Sequence, residues 1–221
     1  MTVNRQLLTV SRKRSKIKQI MLLLDPKTLQ PTEDQRIILY DVTWEQYEQL
    51  SDMFVDEFPR MTYLEGTLEI IMTTFPEHER LKKIIARLLE AYAEEKDINL
   101  NGYGSTTFRK QAAKKGAEPD ECYCLGELHE VPDIAIEIVI TSGGIDKLEV
   151  YRGLGVKEVW FWKNQQFNFY YLSEIDGKYT QSSNSKLIPN LDPVLLASFV
   201  NETNQTQAVK LYRKALQNQN R

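Results

Sequence analysis

A chain of 221 residues is long enough for one α/β domain with a substantial core and short extensions. Hydrophobic residues make up 42% and charged residues 27%, an ordinary soluble balance. No run approaches the ~18 apolar residues of a membrane span, and Ile20–Leu24 is too short for the core of a secretory leader, so a cytoplasmic location is expected. A net charge of −3 argues against a dedicated high-affinity polyanion binder.

In chain order, residues 1–37 read as a basic extension interrupted by Pro26 and Pro31. Its first thirty residues carry seven cationic side chains against Asp25, a net of +6, which leaves about −9 for the remainder. Such an arm either touches a polyanion or is a solvated tail. Thr43 can cap a helix that presents Trp44, Tyr47 and Leu50 on one face. Met61–Met72 reads as a hairpin turning at Glu65-Gly66-Thr67. Residues 77–95 form the clearest helix, with Leu81, Ile84, Ile85, Leu88, Leu89 and Tyr92 in one apolar stripe. His78 shares that inward face and is either structural or functional.

Gly102–Lys115 reads as a strand and loop with a positive patch from Arg109, Lys110, Lys114 and Lys115. Residues 118–125 and 132–140 read as strands, and a helix from about Ile145 to Leu154 stops at Gly155. Val156–Trp162 and Gln166–Leu172 form strands joined at Lys163-Asn164-Gln165, and Tyr179–Ile188 adds another. Short amphipathic helices near 192–200 and 204–217 close the chain. Strands mixed with helices point to an α/β fold with a mixed sheet. The expected organisation is an extension over 1–37, a domain over 38–200 and a C-terminal helix or tail over 201–221. Cys122 and Cys124 stand two apart on a strand, where disulfides do not normally form, and two cysteines alone do not make a zinc site. Both are expected to be reduced and packed. His78 and His129 are too few and too scattered to suggest a histidine-rich metal centre.

Glu137 is the most informative residue. Along Pro132–Ile140, Ile134, Ile136, Ile138 and Ile140 share one face, and Asp133, Ala135, Glu137 and Val139 the other. This near-continuous apolar run implies a central strand buried on both sides. A carboxylate there is costly unless it is paired, protonated or bound to a metal. Asp120 follows Pro119 and lies 17 residues earlier; neighbouring strands would bring the two acids together. Two hard oxygen ligands suit Mg²⁺ or Mn²⁺. A second Pro-Asp pair holds Asp133, but that residue lies roughly 13 Å along the strand from Glu137, too far to share one ion. Asp133 is therefore read as a strand-end residue. Lys147, Val150, Tyr151 and Leu154 form the inward stripe of the next helix. Lys147 either reaches Glu137 and a reacting phosphate or snorkels to water.

These landmarks fall in a recognisable order. Glu65-Gly66 precede Pro76 and His78 at a helix start, then come Pro119-Asp120 and Pro132-Asp133 leading to Glu137-Ile138-Val139. Asp146-Lys147, Tyr151 and Gly155–Trp160 complete it. The order resembles the putative restriction endonuclease family of the Uma-two type, within the PD-(D/E)xK nuclease superfamily, over roughly residues 38–200. The resemblance implies a restriction-endonuclease-like fold, a central mixed β-sheet flanked by helices, and Mg²⁺-dependent hydrolysis of phosphodiester bonds. Asp120 matches the motif aspartate and Glu137 the following acid. The lysine usual two residues later is replaced by Val139, and Lys147 on the helix matches its migrated place. His78 and Glu65 match upstream positions near the site. The loop Thr141–Gly144 departs from the Ser-Pro-Ser of many members, a change that affects the helix start more than the chemistry.

The expected activity is that of a DNA endonuclease. Asp120 and Glu137, with the backbone carbonyl of Ile138, bind Mg²⁺ or Mn²⁺, and Lys147 assists the attack. Arg109–Lys115 and the N-terminal arm touch the DNA backbone. A homodimer is expected, since a duplex has two strands to cut. The aromatic run Trp160, Trp162, Phe167, Phe169, Tyr170 and Tyr171 supplies either an interface or hairpin core. The alternatives are a non-catalytic nuclease fold that binds nucleic acid or serves assembly, and an unrelated fold in which Glu137–Lys147 is a buried salt bridge.

Overall fold

Thr43 caps the first helix reciprocally: its side chain accepts from the Gln46 amide while the Gln46 side chain accepts from the Thr43 amide. This capping box starts α1 (Trp44–Met53), which buries Trp44, Tyr47 and Leu50. The computed structural model describes residues 36–54, 59–71, 75–140 and 144–219. The basic arm, apart from its last two residues, and Thr141–Gly143 of the loop after residue 140 lie outside these. The order is β1 (Arg36–Leu39), α1, β2 (Arg60–Leu64), β3 (Thr67–Ile71), α2 (Pro76–Glu95), β4 (Leu100–Gly102), β5 (Phe108–Lys110), β6 (Lys115–Ala117), β7 (Glu121–Leu125) and β8 (Ile134–Ile138). It continues with α3 (Lys147–Leu154), β9 (Glu158–Lys163), β10 (Gln166–Leu172), β11 (Tyr179–Ser182), α4 (Pro193–Val200) and α5 (Gln205–Gln219).

The architecture is α/β, with a mixed central sheet flanked by helices. The central sheet runs β11-β10-β9-β8-β7-β4. Its neighbours are antiparallel except β8 and β9, which are parallel and joined through α3. One face of it carries Ile134, Ile136, Ile138, Trp160 and Phe169 into a core shared with α2, α4 and α5. The opposite face carries Cys122, Ala135 and Val159 into a core with Val150, Tyr151 and Leu154 of α3 and Phe108 and Ala117. Every residue of β8 is buried, as its doubly apolar pattern requires.

A second, antiparallel sheet, β1-β3-β2-β6-β5, adds to the expected one. The hairpin β2–β3 turns at Glu65 and Gly66, whose φ values of 47° and 100° are those of a two-residue turn matched to strand twist. β1 pairs with β3 and begins two residues inside the segment read as an extension. Several boundaries differ from the sequence reading. β7 starts at Glu121, one residue after Asp120. α3 starts at Lys147, because the Asp146 side chain caps it by accepting from the Glu149 amide. β11 ends at Ser182, because Ser185 and the Lys186 amide turn inward to the buried Glu158 carboxylate at 2.6 and 2.7 Å. Trp160, Trp162, Phe167 and Phe169 pack in the core, which settles that part of the aromatic run as hairpin packing. Cys122 and Cys124 are free thiols and buried. Among the described residues, no helix is long and apolar enough to cross a membrane.

Candidate active site

The register of β7 against β8 sets Glu121 opposite Ile136 and Cys122 opposite Ala135. Asp120 immediately precedes β7, and it lines the same cleft as Glu137 near the C-terminal end of β8. The Asp120 amide donates to the Ile136 carbonyl at 3.1 Å, and its carboxylate Oδ2 accepts from the Ile138 amide at 2.7 Å. Backbone bonds therefore fix Asp120 at the mouth of the strand pair. Asp120 is 1% exposed and Glu137 7%, so two carboxylates share a desolvated place.

Two helices bring cations or donors to this pair. From the first turn of α3, Lys147 places Nζ 3.1 Å from Glu137 Oε1. Its side chain is 17% exposed, so the ammonium turns inward rather than to water. One helical turn on, the Tyr151 hydroxyl donates to the same Oε1. Burial, reinforced by the Glu137 charge, pushes the Tyr151 phenol well above its ordinary range, so it remains a neutral donor. From the first turn of α2, His78 sets Nε2 3.2 Å from Asp120 Oδ2.

The second sheet closes the cleft with residues that sequence reasoning missed. Arg60, at the start of β2, pairs with Asp120 Oδ1 and lies 3.4 Å from His78 Nε2. Arg36 of β1 pairs with the buried Glu69 of β3 at 2.9 Å. Gly144, at φ +102°, passes so close that a Cβ there would meet Glu69 Oε1. Glu118 also lines the cleft, and burial raises its carboxyl against the pull of Arg60 and Lys147. Arg60 and Thr62 alternate with the buried Met61 and Tyr63, and both line the cleft. That polar face was the available signal, but nothing in the sequence says that β2 lies beside Asp120.

The structure thus gathers Asp120, Glu137, Ile138, Lys147 and His78 around one cleft. Glu65 stands apart in the β2–β3 turn, exposed, with its carboxylate 3.6 Å from Lys115. The positive patch is also divided. Lys115 is buried and reaches Glu149 at 2.6 Å, and a Cβ at Gly153 of α3 would land on its stem. Arg109 pairs with Asp52 at 2.7 Å, while Lys110 and Lys114 face solvent. Asp133 lies at the other end of β8, held by Lys157 at 2.7 Å, the Leu125 amide at 2.8 Å and His129 at 2.9 Å.

The donor set fits a hard divalent cation: two carboxylates on rigid adjacent strands, with the Ile138 carbonyl leaving its strand on the same edge as its amide. The Arg60 guanidinium on Asp120 marks the place as one that attracts positive charge.

A family model described as "Putative restriction endonuclease" matches residues 44–201. Among solved structures, the chain is similar to a putative nuclease from Anabaena variabilis. The two are 13% identical over 77% of this chain and 99% of that one, with a TM-score of 0.43. No curated protein matches the sequence.

Proposed function

The chain belongs to the putative restriction endonuclease family, and from its site we propose a divalent-metal-dependent endonuclease that hydrolyses phosphodiester bonds in DNA. The observation that carries this reading is that the buried acids Asp120 and Glu137 line one cleft, with Lys147 on Glu137. Asp120, Glu137 and the Ile138 carbonyl would hold Mg²⁺ or Mn²⁺, and a bound ion would supply polarisation of the scissile phosphate and a more acidic water.

The other residues act through position and charge. Lys147 holds its proton at Nζ and directs it at the attacking water or at charge developing on phosphorus. Tyr151 fixes Glu137 Oε1 so that Lys147 meets a carboxylate of constant orientation. His78 braces Asp120 from α2. Arg60 and Arg36 give the opposite wall a positive face for a phosphodiester. Lys110 and Lys114, exposed beside the Glu65 turn at the other end of β2, offer the DNA backbone a separate contact. Two such sites in a homodimer would serve the two strands of a duplex.

One observation favours a non-catalytic nucleic-acid-binding module instead: Arg60 and Lys147 already pair with the two acids. Purified protein incubated with supercoiled plasmid in Mg²⁺ or Mn²⁺ separates the readings. Nicking that EDTA stops, and that folded Glu137→Ala and Lys147→Ala both lose, is the expected result. Folded protein that binds duplex yet cuts neither plasmid nor a pool of varied genomic DNA in either metal would overturn the enzyme reading.

A further inference from the structure

We propose that the opposite end of β8 holds a second, chemically different metal site, in which Cys124, His129 and Asp133 bind a borderline-soft ion such as Zn²⁺. Cys124 lies in β7 and Asp133 immediately precedes β8; both are buried. The connecting loop carries His129 back over them, so that one ligand atom of each residue lies within 4.8 Å of the other two.

The histidine tautomer is set by its surroundings. His129 Nδ1 lies 2.6 Å from the Val131 carbonyl oxygen. A carbonyl and a carboxylate only accept, so with no ion both ring nitrogens donate; a metal takes the place of the proton on Nε2, while Nδ1 keeps its bond to the carbonyl, the usual arrangement for a metal-bound imidazole. Nε2 sits 2.9 Å from Asp133 Oδ2, and the carboxylate is oriented by the Leu125 amide at 2.8 Å and Lys157 at 2.7 Å. Such hydrogen bonds to a ligating carboxylate are what hold metal sites in register. Cys124 Sγ faces the ring at 3.5 Å from Nδ1. With no ion the thiol donates to the His129 carbonyl at 3.7 Å, and that contact keeps the sulfur beside the imidazole and the carboxylate.

The two ends of β8 then differ in hardness. Asp120 and Glu137 offer only oxygen, which suits Mg²⁺ or Mn²⁺. Thiolate and imidazole beside one carboxylate favour zinc. Three protein ligands leave a fourth position, and His129, at 43% exposed, leaves it open to water. Binding displaces the thiol proton and the Nε2 proton of His129 to solvent. A bound ion would staple the 126–131 loop to both strands and stiffen the β7–β8 ladder, without touching the cleft.

Full-length protein stripped with chelator and titrated with Co²⁺ and Zn²⁺ tests the site. Expected are one tightly held Zn²⁺ per chain at the cluster, a thiolate-to-cobalt charge-transfer band, and loss of that band in Cys124→Ser. His129→Ala, at a half-exposed position, should weaken Zn²⁺ binding by about tenfold or more while remaining folded. Glu137→Ala should leave the cobalt band unchanged, so a failure here is distinct from a failure of the nuclease reading. A folded wild type with no thiolate band, or a band and Zn²⁺ affinity that both survive His129→Ala, would overturn the proposal and leave only an ion pair.

Discussion

Two Pro-Asp pairs, Pro119-Asp120 and Pro132-Asp133, look alike in the sequence, yet they occupy opposite ends of the same strand ladder. Asp120 shares its cleft with a second buried acid, Glu137; Arg60 and His78 stand on the first and Lys147 on the second. Asp133 meets no such rival among its described contacts. Burial works to raise its carboxyl, but the Lys157 ammonium, the Leu125 amide and His129 outweigh it and hold it below the usual range. What separates the two aspartates is whether a second carboxylate shares the desolvated space. Two acids lining one cleft offer only oxygen, whereas the single acid at the other end stands beside a thiol and an imidazole.

The sharpest way to break this contrast is to remove each acid. Asp120→Asn should cut plasmid nicking by about 100-fold or more, since it weakens a metal ligand and leaves the fold intact. Asp133→Ala, in chelator-treated protein, should cost ~1–3 kcal/mol of stability, because it strands the Leu125 amide. A lowered urea midpoint with an unchanged slope would register that loss. Equal losses of activity from both variants at full folding would end the distinction.

Arg60 sharpens it further. The guanidinium competes with any ion for Asp120, so Arg60→Met should tighten Mn²⁺ binding by about tenfold, ~1.4 kcal/mol, while reducing cleavage. Calorimetry on the metal-free protein measures the first effect. Weaker Mn²⁺ binding in the variant would mean that Arg60 shapes the site rather than competing for it.

The smallest effect is expected at Glu149, an acid that is neither crowded nor buried. Hydrogen bonds from Arg152 and then Lys115 lower its carboxyl from 4.5 to about 2. A depressed folded-state pKa contributes stability that is present above about 4.5 and is lost as pH falls toward about 2. The stability gap between wild type and Glu149→Gln should therefore be modest at neutral pH, because the carboxylate is partly exposed, and close across that window. A gap that widens on acidification would contradict the assignment.

The central sheet and the acid pair were legible because their signals are local. Alternating isoleucines marked β8 as doubly buried, the apolar stripe marked α2, and the spacing from Lys147 to Tyr151 put both on the inner face of α3. Tyr151 was legible only as apolar filling, since its hydroxyl acquires a role when Glu137 is brought to it. Arg36 and Arg60 were invisible for a different reason. They reach the cleft through β1–β3 and β2–β6 pairings between strands distant in sequence, and an arginine at a strand start ordinarily reads as surface. Lys115 was misread as part of a surface patch, because only the three-dimensional structure shows the groove left by Gly153. Glu65 joined the expected site by resemblance alone, and its turn carries it to Lys115 instead.

That groove has a consequence for modularity. β8, α3 and β9 look like a self-contained cassette that carries Glu137, Lys147 and Tyr151 together. The Lys115 stem nevertheless runs beneath Gly153 and its ammonium grips Glu149, so a strand from the other sheet is threaded under the helix like a tongue under a latch. A chimera that transplanted the cassette alone would leave Glu149 without this partner and an open furrow under the helix. Transplantation would succeed only with β6 included, and natural recombination of this unit would face the same constraint.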